Sequence, residues 1–416
     1  MASHFSVRLI NGLLLPSLIG FIALPTSVFG QTAGAGYLHK LNDSTGMAKC
    51  LDGSPMAYYY RPGTGTGKNK WLLSYEGGGW CSSLKDCELR TSGPLGSSND
   101  YKPTTQLVLG KLSNSADRNP SFYNWNIVFV RYCDGGYFSG DVSEPVIYMD
   151  KPLYFRGAYI HRALLEDLMD RMDMAEATDV VISGCSAGAV QTYINIDKIR
   201  SLLPDKMRVT GLPDSGFLVA YDGEGACNYQ KSMIDTFSLM NVSSSIPQGC
   251  LDKFDSTDQW RCMFFAQHLI PFIETPMFIV QSKHDEWQMD NNIYCEQYNT
   301  EASRNFGSYF EEVFNATINL FPYSGYLLDS CKHHCGGWDY VVSDDGHTQH
   351  EAFDRWYAAI YNDGNFTQSN HQHKQAGTYP CISCCVQGNH YSSYFAESVI
   401  SRASPSIPRR RLRVYS

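Results

Sequence analysis

The amino-acid sequence predicts an α/β protein, α/β-hydrolase-like in its motifs, with a mainly parallel sheet flanked by helices. Two observations carry the prediction. Short continuous apolar runs recur along the chain, as is typical of strands buried on both faces. Helical patterns with one apolar and one charged face lie between these runs. Strands that alternate with helices in this way favour a parallel sheet.

Each predicted element follows from its own pattern. The four runs interpreted as central strands are WLLSY (71–75), NIVFV (126–130), DVVIS (179–183) and PMFIV (276–280). The clearest helix begins at Gly157, and its apolar face is formed at four-residue steps by Ile160, Leu164, Leu168 and Met172. A second helix is predicted directly after Ser186, over AGAVQTYINIDKIRSLL.

Composition indicates a large globular domain. The chain has 416 residues, of which 43% are hydrophobic and 18% charged, so there is ample apolar material for a core. Residues 1–30 are interpreted as a signal peptide, because Arg8 precedes an apolar run that ends in small residues. We expect one catalytic domain over 31–363 and a Cys-containing, basic tail of unknown role over 364–416.

The expected compartment is extracellular or cell wall. All fourteen cysteines follow residue 30, an even number that favours disulfides, although spacing alone cannot give their connectivity. No later segment has the character of a membrane helix, so we expect no stable membrane insertion. We expect a monomer with possible N-glycans on sequons that begin at Asn42, Asn241, Asn315 and Asn365.

Charge argues against nucleic acid as a partner. The formal net charge is −9, whereas nucleic-acid binding relies on a basic surface. The exception is the tail, where Arg409, Arg410, Arg411 and Arg413 stand together. We interpret these arginines as a solvated chain end, with weak contact to an acidic polysaccharide as the alternative.

The segment ISGCSAGAV (182–190) places Gly184, Ser186 and Gly188 in the G-x-S-x-G pattern. The pattern alone is weak, but here it follows a predicted strand and precedes a predicted helix. That is the setting of a nucleophile elbow, in which the serine stands above the sheet. Ser186 is therefore the candidate nucleophile. Cys185 is interpreted as a packing or disulfide residue, since the elbow presents its middle residue to the substrate.

The glycine run in SYEGGGWC (74–81) is the candidate oxyanion loop, because glycines allow backbone N–H groups to approach a substrate closely. For the acid, Asp285 follows the strand PMFIV, and Asp214 and Glu286 are competitors. For the base, the candidates that spacing cannot separate are His333, His334, His347 and His350. Trp80, Tyr137 and Phe138 are candidates to line the site, or else pack in the core.

These motifs together resemble the pectin acetylesterase family, which includes the Notum-like carboxylesterases. The resemblance runs from about residue 49 to 356 through blocks in order, namely YEGGGWC (75–81), IVFVRYCDG (127–135), YFRG (154–157), ISGCSAG (182–188), LPDSGF (212–217), PMFIVQSKHDEWQ (276–288) and SCKHHC (330–335). The glycine loop resembles the plant and microbial branch. Lys332 and His333 are unusual before the family's histidine.

The resemblance implies Ser186 as nucleophile, Asp285 as acid and His334 as base, with oxyanion donors at Gly78, Gly79 and Ala187. It implies that no metal or organic cofactor is needed. Arg131 and Arg156 lie in matching blocks and are considered as substrate-binding cations. Arg131 is retained for that role with Trp80 and Tyr137, whereas Arg156 is expected to hold a structural ion pair.

Three functions follow from these features. The first is a secreted carboxylesterase that removes acetyl groups from an acetylated polysaccharide such as pectin. The second is a Notum-like carboxylesterase that acts on lipid-acylated protein, which requires a deep apolar acyl pocket. The third is a catalytically silent, polysaccharide-binding homologue, since fold does not imply function.

Overall fold

A sheet of ten strands runs through the described part of the chain. The computed structural model describes residues 34–41, 43–223, 230–293, 300–361, 366–381 and 385. The predicted signal peptide, the sequons at Asn42 and Asn365, and the arginine-rich end of the tail lie outside these residues. The described strands, ten in this sheet and two (β6 and β7) in a separate hairpin, are β1 (Ala35–Lys40), β2 (Ala57–Arg61), β3 (Lys70–Tyr75), β4 (Thr104–Gln106), β5 (Asn126–Val130), β6 (Val146–Tyr148), β7 (Lys151–Leu153), β8 (Asp179–Cys185), β9 (Arg208–Asp214), β10 (Phe278–Ser282), β11 (Gly325–Asp329) and β12 (Gln372–Lys374).

The sheet is parallel through its centre and antiparallel at one side. Its order is β12-β11-β10-β9-β8-β3-β5-β2-β1-β4. All pairs from β12 to β5 are parallel, and the remaining three pairs are antiparallel. β6 and β7 form a separate antiparallel hairpin. This arrangement confirms the predicted α/β class, and the four apolar runs predicted as strands overlap β3, β5, β8 and β10.

Helices cover both faces of the sheet. They are α1 (Leu84–Arg90), α2 (Gly157–Arg171), α3 (Ala187–Leu202), α4 (Gln230–Leu239), α5 (Gln248–Leu251), α6 (Arg261–Phe264), α7 (Ala266–Leu269), α8 (Glu286–Asn292), α9 (Thr300–Ile318) and α10 (Gln349–Tyr361). Alternate residues of one strand enter different cores. Leu73 of β3 packs in the core that α2, α3 and α9 share, and Leu72 packs in the core of α10. Burial on both faces explains the unbroken apolar runs.

The sheet extends past residue 363, where the sequence placed the end of the catalytic domain. β12 pairs in parallel with β11, and His373 lies opposite Leu327. A disulfide joins Cys331 to Cys385. The boundary at 363 is therefore too early, because residues 366–381 supply an edge strand of the same sheet. The short polar sequence of β12 carries no apolar pattern that would reveal a strand.

The cysteines form disulfides, as the cysteine content predicted, and these close both short and long loops of the chain. Among described residues the pairs are Cys50–Cys133, Cys81–Cys87, Cys185–Cys335, Cys250–Cys262 and Cys331–Cys385. In the same residues, no helix combines the length and apolar character that a membrane crossing requires.

The candidate site residues follow the carboxyl ends of central strands. The glycine run 77–79 comes after β3, and Ser186 comes after β8. Asp285 and His334 come after β10 and β11. Because the carboxyl ends of parallel strands meet at one edge of a sheet, this topology gathers the candidates on one side of the molecule.

Candidate active site

Ser186 occupies a sharp turn between β8 and α3. Its backbone has φ 57° and ψ −121°, a region that non-glycine residues rarely adopt, and its N–H donates to the carbonyl oxygen of Asp214 at 3.0 Å. The flanking glycines are required by space. A Cβ on Gly184 would lie 2.3 Å from the backbone of Gly188, and one on Gly188 would lie 2.1 Å from the carbonyl oxygen of Tyr75. Ser186 thus has the strand, turn and helix geometry of a nucleophile elbow.

Asp285 and His334 are in direct contact. The Oδ2 atom of Asp285 lies 2.7 Å from Nδ1 of His334, and its Oδ1 atom accepts the N–H of Gln288 at the start of α8. Asp285 is completely buried. With Nδ1 held by the carboxylate, Nε2 of His334 is buried and has no hydrogen-bond partner among the described residues. This arrangement leaves Nε2 available to take a proton.

The pKa of His334 results from opposing effects. Burial lowers the pKa of the imidazole, whereas the charge and hydrogen bond of Asp285, together with the charge of Asp214, raise it. The net shift is upward from the ordinary value. The ring is therefore a stronger base than a free histidine, and its protonated form is stabilised.

A disulfide and a main-chain hydrogen bond hold the three segments together. A disulfide joins Cys185, which precedes Ser186, to Cys335, which follows His334. The N–H of Glu286 donates to the carbonyl oxygen of His333 at 3.1 Å, so that the acid and base segments are paired beside their side chains. Packing or a disulfide was expected for Cys185, and the structure shows the disulfide.

The competing acids have other partners. Asp214 is buried and pairs with Lys111 at 2.7 Å, and its Oδ2 also accepts the N–H of Gly336 at 3.3 Å. Glu286 is exposed and lies 3.5 Å from Lys332. Asp214 therefore links the serine and histidine segments as a scaffold, while Asp285 is the carboxylate that contacts His334.

The competing histidines also have other partners. His333 lies 3.1 Å from Asp329, which is completely buried. Burial lowers the pKa of His333, but the charge and hydrogen bond of Asp329 raise it to about 9. His347 lies beside Asp345, and His350 lies against the ring of Trp338. The unusual Lys332 and His333 therefore form ion pairs with residues next to the site.

The glycine loop passes close to Ser186. A Cβ on Gly77 would lie 3.0 Å from Cβ of Ser186, so a side chain at this position would collide with it. Gly78 and Gly79 have φ angles of 150° and 62°, which glycine adopts readily. Ala187 starts α3 next to Ser186, so its N–H belongs to the first turn of that helix.

Two side chains that the sequence did not single out hold the loop. Arg90 donates to the carbonyl oxygens of Gly78 at 2.9 Å and Trp80 at 2.8 Å. The hydroxyl of Tyr132 donates to the carbonyl oxygen of Gly79 at 2.7 Å. In a trans peptide the N–H points opposite to the carbonyl. The N–H groups of Gly79 and Trp80 therefore point away from Arg90 and Tyr132.

Arg131, predicted as a substrate-binding cation, lies in an internal ion pair. Its guanidinium lies 3.0 Å from Glu76 and 4.6 Å from the ring centre of Tyr101, and both charged groups are largely buried. The other oxygen of Glu76 accepts the N–H of Tyr132 at 2.9 Å. An internal ion pair therefore engages this guanidinium, and the expected role of Arg131 in substrate binding stays a prediction.

Arg156 does not form the structural ion pair that was expected among the described residues. It is buried and donates to the carbonyl oxygen of Ser143, and its guanidinium stacks over Tyr154. Among the described contacts it meets backbone oxygen rather than the carboxylate that a structural ion pair requires.

Aromatic rings form a continuous wall next to His334. Trp80 lies 5.8 Å from Tyr137, 5.1 Å from Phe264 and 5.7 Å from Trp287, measured between ring centres. Trp287 lies 6.2 Å from His334. Trp80 is 7% exposed and Tyr137 is 1% exposed. Tyr137 is thus a core residue behind Trp80, as is the fully buried Phe138.

Comparisons with known proteins identify relatives of this chain. The profile of the family described as Pectinacetylesterase matches residues 33–386. The chain is 32% identical over 309 residues to pectin acetylesterase 7 of Arabidopsis thaliana, covering 70% of this chain and 77% of that protein. It is 31% identical over 297 residues to palmitoleoyl-protein carboxylesterase notum2 of Xenopus laevis, covering 68% of this chain and 57% of that protein. The solved structure of the Wnt deacylase Notum from Drosophila superposes with a TM-score of 0.69 at 24% identity, covering 78% of this chain and 94% of that one.

Proposed function

The chain belongs to the pectinacetylesterase family of carboxylic ester hydrolases, and from this membership we propose that it is an extracellular serine esterase that deacetylates pectin-type polysaccharide. The observation that carries the proposal is the 2.7 Å contact between Asp285 and His334, on the strand edge that also bears the Ser186 elbow. A nucleophile, a base and an acid that orients the base form a complete machinery for acyl transfer.

The first half of the reaction acylates Ser186. Nε2 of His334 takes the proton of the Ser186 hydroxyl as Oγ forms a bond to the ester carbonyl carbon. Asp285 stabilises the resulting imidazolium and keeps its Nε2 directed at the reacting atoms. When the tetrahedral intermediate collapses, the bond to the sugar oxygen breaks and the imidazolium gives its proton to that oxygen. The acetyl group remains on Ser186.

The second half releases acetate. A water molecule gives a proton to His334 and attacks the acetyl-enzyme carbonyl carbon. The imidazolium then returns the proton to Oγ of Ser186, which leaves as the free hydroxyl. In both halves the negative oxygen of the tetrahedral intermediate is stabilised by N–H groups of the glycine loop at Gly78 and Gly79 and by that of Ala187.

Arg90 and Tyr132 act on this step through the backbone. By holding the carbonyl oxygens of Gly78 and Gly79, they fix the peptide planes that carry the N–H groups of Gly79 and Trp80 before substrate arrives. Donors that are already oriented need no reorganisation when charge develops on the substrate oxygen. We therefore assign Arg90 as a positioning residue for the oxyanion loop.

The wall beside His334 favours a small acyl group. Trp80, Tyr137 and Phe264 fill the space behind the glycine loop with mutually packed rings, and each is at most 7% exposed. A long acyl chain needs a deep apolar pocket rather than a filled one. This packing, together with the pectin acetylesterase relative at 32% identity, supports acetate over palmitoleate.

The extracellular location rests on the disulfides. Their number among the described residues suits an oxidising compartment. The N-terminal segment interpreted as a signal peptide is consistent with export, and it lies outside the described residues.

The test is acetate release from acetylated pectin and acetylated xylan by the purified protein, compared with its Ser186→Ala variant. Ser201→Ala is the matched control, because this exposed serine lies on the same helix away from the elbow. Release from pectin by the wild type and the control, lost in Ser186→Ala, supports the proposal. If the protein hydrolyses a small aryl acetate but releases no acetate from pectin, the proposed triad stands and pectin is rejected as the substrate.

The alternatives have their own readouts. Aryl esters with acyl chains from acetyl to decanoyl separate a polysaccharide deacetylase from a lipid-directed carboxylesterase. We expect kcat/KM to fall steeply as the acyl chain lengthens. A rise in kcat/KM would favour a lipid-directed carboxylesterase. A fluorophosphonate probe should label the wild type and leave Ser186→Ala unlabelled. Failure to label the folded wild type would favour a catalytically silent homologue.

A further inference from the structure

A cluster of two histidines and one aspartate lies between the edge strand β12 and the loop before α10. Oδ2 of Asp345 is 2.8 Å from Nδ1 of His373 and 3.3 Å from Nδ1 of His347. The three ligand atoms all lie within 4.8 Å of one another. Among the described residues this is the group of histidine, cysteine and acidic side chains that meets the spacing of a metal site. The proposed esterase chemistry uses none of the three.

We propose that Asp345, His347 and His373 bind one divalent transition-metal ion of the zinc type. Zinc is bound by histidine nitrogen and carboxylate oxygen at about 2.0–2.2 Å in tetrahedral geometry, which places ligand atoms about 3.4 Å apart. The present separations bracket that value, so small side-chain movements suffice. Two imidazoles with one carboxylate suit zinc, copper or nickel better than calcium or magnesium, which prefer oxygen ligands.

The ligands are held in place by the surrounding chain. The hydroxyl of Ser343 donates to Oδ1 of Asp345, which turns Oδ2 toward both histidines. The N–H of Ser343 donates to the carbonyl oxygen of His347 at 2.9 Å, and closes the loop. His373 is fixed by its place in β12, opposite Leu327. Preorganised ligands lose less freedom when an ion binds.

One nearby charge opposes a bound cation, because the positive charge of Arg355 acts on His373. Metal ligation needs the deprotonated forms of imidazole and carboxylate, which is why the binding test is made near neutral pH.

The location gives the ion a structural consequence. The N–H of Asp344 donates to the carbonyl oxygen of Lys374, and the next residue, Gln375, accepts the N–H of Ser330 at the start of the histidine-bearing segment. An ion bound to Asp345, His347 and His373 would therefore fasten β12 to the loop before α10, two residues away from the side chain that accepts the N–H of Ser330. The proposal concerns stability and holds whether or not the proposed substrate is correct.

The test is isothermal titration of the metal-stripped, full-length protein with zinc chloride near neutral pH, together with thermal unfolding. We expect one zinc ion per chain and a rise in Tm for the wild type. His347→Ala and Asp345→Asn should bind zinc at least tenfold more weakly and lose the rise in Tm. Both positions are at least partly exposed, so the variants should fold.

His350→Ala is the matched control, since His350 lies in the same segment but outside the cluster. It should bind zinc as the wild type does, and magnesium chloride should not raise the Tm of any variant. Absence of zinc binding by the wild type would overturn the proposal. Equal zinc binding by the wild type and both cluster variants would overturn it as well, because the ion would then occupy another site.

Discussion

Cys185 and Cys335 are 150 residues apart in the chain and are joined by a disulfide with a Cα–Cα distance of 5.8 Å. Each cysteine is the immediate chain neighbour of a proposed catalytic residue, Ser186 in one case and His334 in the other. The disulfide joins the end of β8 to the segment that follows β11. β8 and β11 are not neighbours in the sheet. The disulfide therefore constrains the two segments in a way that sheet hydrogen bonding does not.

The first prediction concerns this disulfide. Replacing both Cys185 and Cys335 with alanine should lower kcat for an aryl acetate at least tenfold, because the nucleophile and base segments are then free to separate. The chain-entropy model gives a loss of about 5 kcal/mol in the free energy of unfolding for a loop of this length. Urea unfolding and steady-state kinetics measure the two effects.

The paired removal of Cys250 and Cys262 is the control, since this disulfide closes a loop of 12 residues. It should cost about 3 kcal/mol and leave kcat within about twofold once the protein is folded. Equal kcat values for both double variants would contradict the first prediction.

The second prediction concerns which of two neighbouring carboxylates, Asp285 or Glu286, is the acid. Asp285→Asn should reduce kcat/KM about 10⁴-fold, because the amide cannot stabilise the imidazolium of His334. Glu286→Gln removes only an exposed pair with Lys332 and should retain activity within about twofold. Steady-state hydrolysis of an aryl acetate checks both values, and circular dichroism verifies folding. A larger loss in Glu286→Gln would reverse the assignment of the acid.

The third prediction concerns the stability of the His333–Asp329 pair. The pKa of His333 is raised to about 9, so the pair contributes full stability below the ordinary pKa of histidine, near 6.5. That contribution is lost as the pH rises through 9. His333→Gln should cost about 3 kcal/mol in unfolding free energy at pH 6, because it leaves the buried Asp329 without its partner.

Urea unfolding at pH 6, 7.5 and 9 measures this effect. The difference between the wild type and His333→Gln should shrink as the pH rises. The double variant with Asp329→Asn should recover part of the loss at pH 6. A difference that is constant with pH would show that His333 carries no stabilising charge.

The fourth prediction concerns the pH profile of catalysis. His334 must be neutral to accept a proton, and its pKa is raised, so kcat/KM should increase with pH through a value above 6.5. The charge of His333 acts to lower the pKa of His334. His333→Gln should therefore move the acid limb to higher pH. An acid limb below 6.5, or no movement in the variant, would argue against this coupling.

The fifth prediction concerns Arg90. Arg90→Gln should lower kcat about 10- to 100-fold with little change in KM, because the carbonyl oxygens of Gly78 and Trp80 lose their common donor and the loop is less well oriented. Arg90→Lys should recover part of the rate. Arg171→Gln is the matched control, as a helical arginine in a partly exposed pair. A fall in Tm with unchanged kcat would indicate a purely structural role for Arg90.

Local patterns made the centre of the fold predictable. The runs that became β3, β5, β8 and β10 are apolar because both faces of these strands are buried, and burial on two faces leaves a continuous signal in sequence. The elbow was recognisable for a similar reason. Its glycines at 184 and 188 are required by contacts within a few ångströms, and the strand and helix beside them have their own patterns.

Long-range contacts were not predictable in the same way. His334 meets Asp285 across 49 residues, and nothing in spacing distinguishes it from His333, so the choice rested on family resemblance. The sequence shows that Arg131 is a cation, but its partner Glu76 is 55 positions away. Sequence alone does not indicate whether a cation contacts substrate or a buried carboxylate. β12 has three polar residues, so its pairing depends wholly on β11.

The position of β12 also bears on self-association. β11 is a buried, apolar strand with the sequence GYLLD, and β12 covers the backbone N–H and carbonyl groups along its outer edge. An uncovered edge of this kind is a template on which another chain can add a strand. The short segment 372–374, with the charged Lys374 at its end, offers another chain much less edge to extend than an uncovered β11 would.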